Sequence, residues 1–130
     1  MMTREIVQND WEAFFDHFSR QHENWLVRLD VLGAEIGAQH EVVESPLIGV
    51  STGAPTARTV YVHAGRGSEH VTHTVPHVAH VRLEQSAEGT AVALQIESTD
   101  GTTALLQFRP GAQGETEKKL RAGGKARKSR

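Results

Sequence analysis

The stretch "NDWEAFFDHFSRQHENWLVRLDVLG", Asn9 to Gly33, decides the fold, because the spacing of its apolar residues changes partway along. In its first half Trp11, Phe14, Phe15 and Phe18 fall at i, i+3, i+4 and i+7, the repeat that places side chains on one face of a helix. Asn9 stands where an N-cap is expected. Glu12, three residues on, is placed to complete a capping box, and Asp10 favours the positive end of the helix dipole. In the second half Trp25, Val27, Leu29 and Val31 alternate with Leu26, Arg28 and Asp30, which is the period of a half-buried strand that ends at Gly33. Five of the seven aromatic residues lie between Trp11 and Trp25, so the helix brings the bulky part of the core.

Beyond Gly33 the chain reads as strands and turns. "AQHEVVES" and "LIGV" are two short strands separated by Pro46, and "STGAPTA" is a loop by composition. "TVYVHA" alternates again, and "GRGSE" supplies glycines for a turn. Near the end "TAVALQIES" and "TTALLQFR" flank Asp100-Gly101, a pair suited to a tight hairpin, with Leu94, Ile96, Leu106 and Phe108 as core candidates. One helix followed by about six or seven short strands predicts an α+β fold. The amphipathic N-terminal helix packs on a curved antiparallel sheet or small β-barrel. Nothing alternates strand and helix as a parallel sheet requires, and no internal repeat is present.

At 130 residues the chain suits one domain, predicted over residues 1–109. The segment from Pro110 onward differs in kind. It carries seven of the fourteen Lys and Arg (Lys118, Lys119, Arg121, Lys125, Arg127, Lys128 and Arg130) against Glu115 and Glu117, a net charge of +5. Residues 1–109 hold seven Arg against fourteen carboxylates, a net charge of −7, and no Lys at all. Leu120 is the single large apolar residue of the tail, so residues 110–130 are predicted to be disordered when free. Their cations suit non-specific contact with phosphates, but no interleaved aromatic offers stacking to bases. No apolar run approaches a membrane span and no basic start precedes an apolar segment, which implies a cytoplasmic protein without membrane contact.

The chain has no cysteine and eight histidines, so any metal site must use imidazole and carboxylate. "EHVTHTVPHVAHVRLEQ" places His70, His73, His77 and His80 at spacings of three and four, a ligand face if helical. Its β-branched residues and central Pro76 argue instead for two strands. In a strand His73 and His77 stand about 13 Å apart, so no two of the four chelate one ion. The better grouping crosses the preceding hairpin, "HAGRGSEH", where His63 folds back towards His70 with Glu69 alongside. That set could take zinc, nickel or copper. The alternative reading is surface histidines whose shared titration carries the acidic body from −7 towards +1 and loosens its hold on the basic tail.

Catalytic signals are absent. No serine sits in a nucleophile elbow, "GRG" lacks the third glycine of a dinucleotide loop, and "GGKARKS" has Ala126 where a phosphate loop needs a hydroxyl. The reading leans against an enzyme and towards a small binding or accessory module acting through its surface on an unidentified protein partner or on itself. A histidine-based metal protein and a nucleic-acid binder working through the tail are the alternatives.

The run "REIVQNDWEAFFDHFSRQHENWLVRLDVLGAEIGAQ", with "HVTHTV", "VRLEQ" and "IESTDGTTALLQF", resembles a family of short bacterial proteins of unknown function, over approximately Arg4 to Arg109. The resemblance implies a single small domain in a bacterial cytoplasm and assigns no activity, ligand or catalytic residue. His77, His80 and the basic tail lie outside the matching pattern.

Overall fold

The computed structural model describes residues 2–33, 37–54 and 57–109. The segment corresponding to the basic tail therefore lies outside the described residues. Eight strands, one helix and a short 3-10 turn make up the described chain. They are β1 (Met2–Ile6), the turn Gln8–Asp10, α1 (Trp11–His22), β2 (Leu26–Gly33), β3 (Gly37–Thr52), β4 (Val60–Arg66), β5 (Glu69–Val75), β6 (Val78–Gln85), β7 (Ala91–Ser98) and β8 (Thr103–Arg109). Neighbours run β1-β6-β7-β8-β2-β3-β4-β5, each pair antiparallel. The sheet is open, with β1 and β5 at its edges, so the expected antiparallel sheet is found, with eight strands where six or seven were expected, and the barrel alternative is not.

Two differences from the expected strands have physical causes. β1 escapes a reading by alternation because all of its residues but Ile6 are exposed, leaving no buried partner pattern to detect. β3, expected as two strands parted by Pro46, is one strand of 16 residues that changes partners there. Its first part pairs with β2 as far as Pro46 opposite Leu26, and from Leu47 onward it pairs with β4. Register shifts in β3 and a positive φ of 54° at Glu44 turn the strand at this corner. A proline is tolerated where the ladder changes hands, because its missing N–H interrupts neither run of pairing.

The helix forms where its aromatic spacing places it, but its start differs. A 3-10 turn precedes it, Asp10 rather than Asn9 is the N-cap, and neither turn nor helix has a side-chain cap bond. The entry is fixed instead by Trp11, whose indole Nε1 donates to the Ile6 carbonyl at 2.8 Å. Trp11, Phe15, Phe18 and His22 are the buried face, and Phe14 sits at its margin, stacked on Phe18 with the Arg4 guanidinium over its ring. Opposite them Val27, Leu29, Leu47, Val60, Val62, Val81, Leu94, Ile96 and Leu106 are essentially inaccessible, in one continuous core. Each such side chain contributes on the order of 1.5–3 kcal/mol by leaving water.

The Asp100-Gly101 hairpin is present with a loop one residue longer than a tight turn. Gly101 N–H donates to the Ser98 carbonyl and Ser98 N–H to that of Thr102, with Gly101 at φ 90°. Ala87-Glu88-Gly89 repeats this three-residue loop between β6 and β7. The β4–β5 connection is tighter. Arg66 pairs with Glu69 across Gly67-Ser68, and Gly67 takes the positive φ that a two-residue hairpin needs at its first central position.

Candidate functional site

Among the described residues, no strand lies beside the free side of β3 beyond Leu47, because β2 pairs with β3 only as far as Pro46. Helix α1 takes that place. Ser19, on its last turns, reaches the backbone of Val50 and anchors the helix there. Between α1 and the outer surface of β3 and β4 lies a groove of about 900 Å³. Glu12, Asp16 and Ser19 stand on the helical side, and Ser51, Thr52 and His63 on the strand side. A cleft of about 170 Å³ continues it past Asn9 and Thr52 to Arg58. Arg58 holds a φ of 52°, uncommon for a residue with a Cβ, and its carbonyl accepts from Val78 N–H.

His63 is held by hydroxyls on both sides. Its Nε2 lies 3.2 Å from Ser51 Oγ and its Nδ1 3.1 Å from Thr72 Oγ1, while its ring stacks with that of Tyr61. A neutral imidazole donates at one nitrogen and accepts at the other, and a hydroxyl can answer either role. The β4–β5 register places Thr72, not His70, directly opposite His63. His70 faces Gly65, two residues along, and Glu69 faces Arg66. By the alternation of strand side chains, His63 and His70 share a face and Glu69 points to the other. Among the described residues no three His, Asp or Glu side chains come together as a set that could hold a metal ion.

The other histidines of the run separate. His73 and His77 border a pocket of about 270 Å³ floored by Val31 and Ala104, with Asp100 on its rim. Backbone and side-chain hydrogen bonds from Thr102, and further off the His77 charge, hold the Asp100 carboxyl below its ordinary range. His77 turns the corner between β5 and β6 at φ 53°, and Thr99 N–H donates to its carbonyl. His80 binds Glu5 of β1 at 2.8 Å, and that bond, ahead of the His80 and Arg82 charges, lowers the Glu5 pKa.

A second polar cluster has no counterpart in the sequence reading. Asp30, nearly buried on β2, is contacted by the His40 ring and by Arg28 Nε at 3.2 Å, and Arg28 also reaches His40. Burial pushes the Asp30 pKa up, but the hydrogen bonds from His40 and Arg28 outweigh it and the net shift is downward. Arg28 and Asp30 share a strand face two residues apart, which is legible. That His40 stands opposite Asp30 depends on a register shift between Leu29 and Asp30, which is not.

Lys118, Lys119, Arg121, Lys125, Arg127, Lys128 and Arg130 lie outside the described residues. Among those described, no helix is long and apolar enough to cross a membrane.

Comparison with known proteins agrees on family and is silent on activity. The chain is 28% identical over 110 residues to an uncharacterized protein of Aquifex aeolicus (strain VF5), an alignment that covers 85% of this chain and 95% of the relative. No solved structure matches. A model of a family of unknown function, DUF5335, matches residues 2–117, which takes in the whole helix-and-sheet body and stops just short of the basic cluster that begins at Lys118. The chain belongs to the DUF5335 family.

Proposed function

We propose that this protein is a non-catalytic binding module, that its working surface is the groove between α1 and the outer face of β3 and β4, and that the groove takes a lysine- and arginine-rich peptide segment. The observation that carries this reading is the placing of Glu12 and Asp16 along one wall, opposite the hydroxyls and imidazole of Ser51, Thr52 and His63. Carboxylates meet the charges of such a segment, and the facing donors and acceptors meet its backbone. Asp16 already pairs with Arg20, so Glu12 contributes more of the attraction. The sequence carries an example of the occupant, the seven cations of residues 118–130, against a body of opposite charge. Exposed pairs are worth on the order of 0.2–1 kcal/mol each, so the contact is weak and sensitive to salt.

The test uses the full chain, which has no native cysteine. A spin label at Ser129→Cys is expected to broaden the amide signals of Ser51 and His63 at low salt. The broadening should be lost at high salt and in a Glu12→Lys/Asp16→Lys variant. Broadening that is absent, or unchanged by the charge reversal, refutes the reading.

A further inference from the structure

The two sheet edges are built differently. β1 carries Arg4 and Glu5, both engaged with neighbouring elements, and its charges discourage another strand. β5, "EHVTHTV", has no Lys or Arg, is exposed over Glu69–Thr72, and shows 46% of Val71 to solvent. Among the described residues it pairs with β4 alone.

The register says which backbone groups face outward. Arg66 and Glu69 close a two-residue hairpin, and from that bonded pair the antiparallel ladder alternates, so Ala64 with Val71 and Val62 with His73 are bonded pairs as well. The N–H and C=O groups of His70, Thr72 and Thr74 therefore point to the open side of β5. Around His73 the sequence reads the same in both directions: Val71-Thr72-His73-Thr74-Val75.

We infer that β5 is a self-association edge, pairing antiparallel with β5 of a second copy about a two-fold axis at His73. With the axis there, Thr72 faces Thr74 of the second copy and Thr74 faces its Thr72, both as hydrogen-bonded pairs, because these are the residues whose backbone groups point outward. Val71 and Val75 face each other across the inner side, covering the exposed valine. His73 meets its own symmetry mate in the non-bonded position between them. An axis on any neighbouring residue keeps some backbone bonds but breaks the match of Val with Val and Thr with Thr. Pro76 has no N–H to donate and ends the pairing. A closed two-fold contact uses up the edge of both copies, which a head-to-tail pairing does not.

Cysteine scanning tests the register without disturbing backbone bonds. Directly opposed residues in a non-bonded antiparallel position have Cα atoms about 4.5 Å apart, within disulfide range, whereas residue 72 or 74 and its own mate stand about 8 Å apart. Single variants His73→Cys, Thr72→Cys and Thr74→Cys are made in the full chain and oxidised mildly at equal concentration. The expected result is a disulfide-linked dimer forming at least tenfold faster for His73→Cys than for the other two. Equal rates, a maximum at another position, or concentration-dependent chains without the His73→Cys dimer would overturn the inference. The unmodified chain should also self-associate in sedimentation experiments as concentration rises, and Thr72→Pro, which deletes an outward N–H, should abolish this. A chain that stays monomeric up to about 500 µM, a concentration at which even the small interface of one strand pair should register, refutes it as well.

Discussion

The Ser19 hydroxyl and the backbone of Val50 form a two-way bond: Val50 N–H donates to Ser19 Oγ at 2.8 Å, and Ser19 Oγ donates to the Val50 carbonyl at 3.0 Å. One short side chain thus replaces, at that residue, the strand that β2 does not supply. The pairing also explains how α1 lies so close to β3 beside Gly49, where a Cβ would come within 3.4 Å of Ser19 Oγ.

Ser19→Ala removes both bonds while the helix still covers the strand. The expected loss is about 1–3 kcal/mol, the cost of leaving partly buried polar groups without partners. Asn9→Ala is the contrasting variant. A capping box there would make it cost about 1 kcal/mol, and because α1 starts from Asp10 with no side-chain cap bond, the change is expected to stay within about 0.5 kcal/mol. Urea unfolding measures both, and equal losses would refute the comparison.

Gly65 stands opposite His70 at φ 142°, and a Cβ built on it would lie 2.1 Å from the Glu69 carbonyl oxygen and 2.8 Å from His70 Cα. Backbone cannot yield as a flexible side chain can. Gly65→Ala is therefore expected to destabilise the protein by about 2 kcal/mol or more, with faster amide exchange concentrated in β4 and β5. Gly67→Ala, at φ 55° in open space, is expected to cost about 1 kcal/mol, the left-handed penalty alone.

His22 is buried against Phe18, Trp25 and Phe108, and its Nδ1 lies 2.8 Å from the Phe18 carbonyl. Burial lowers its pKa below the usual 6.5, more than the carbonyl contact raises it. The unfolded chain thus takes up a proton at this residue before the folded one does. Stability is expected to fall as the pH drops below about 6.5, and to level off once the folded-state pKa is passed. His22→Phe should flatten that segment of the stability curve measured by denaturant titration between pH 7.5 and 5. An unchanged slope would count against His22 as its source.

Asp30 has the opposite dependence on partners and the same dependence on pH. Its pKa is depressed, so the stability it adds is present above the ordinary carboxylate range and lost as the pH falls through its folded-state value. Asp30→Asn is expected to cost about 1.5–3 kcal/mol at pH 7, the usual worth of hydrogen bonds to a charged group, and less at pH 3, where part of that contribution has been lost. A loss of equal size at both pH values would mean that the carboxylate charge is not what matters.

How much of this was legible follows from where each signal resides. The helix and the β7–β8 hairpin announce themselves, since Trp11, Phe15 and Phe18 recur at helical spacing, and Leu94, Ile96, Leu106 and Phe108 all proved buried. The corner in β3 did not, because Pro46 reads locally as a break and only the partners on either side make it a continuous strand. The hairpin spacing draws attention to His63 as a partner of His70 and Glu69, yet the side chains that hold it are Ser51 and Thr72, hydroxyls that composition gives no reason to pick. The groove itself was invisible: Glu12 and Asp16 are ordinary helix-surface carboxylates until the open side of β3 is known to lie beneath them.

The strand order also fixes when the chain can complete its fold. β2, near the start, is bound on one side by β8, the last described strand, and β1 is held by β6, so both N-terminal strands wait for partners roughly eighty residues downstream. Such long loops must close before their contacts repay the lost entropy, which places folding in the milliseconds-to-seconds range typical of non-local β proteins. On the ribosome, β2 must remain without one neighbour until Arg109 has been made, and over that interval its apolar residues, like the Phe18 face of α1 that Phe108 covers, need shelter from other chains.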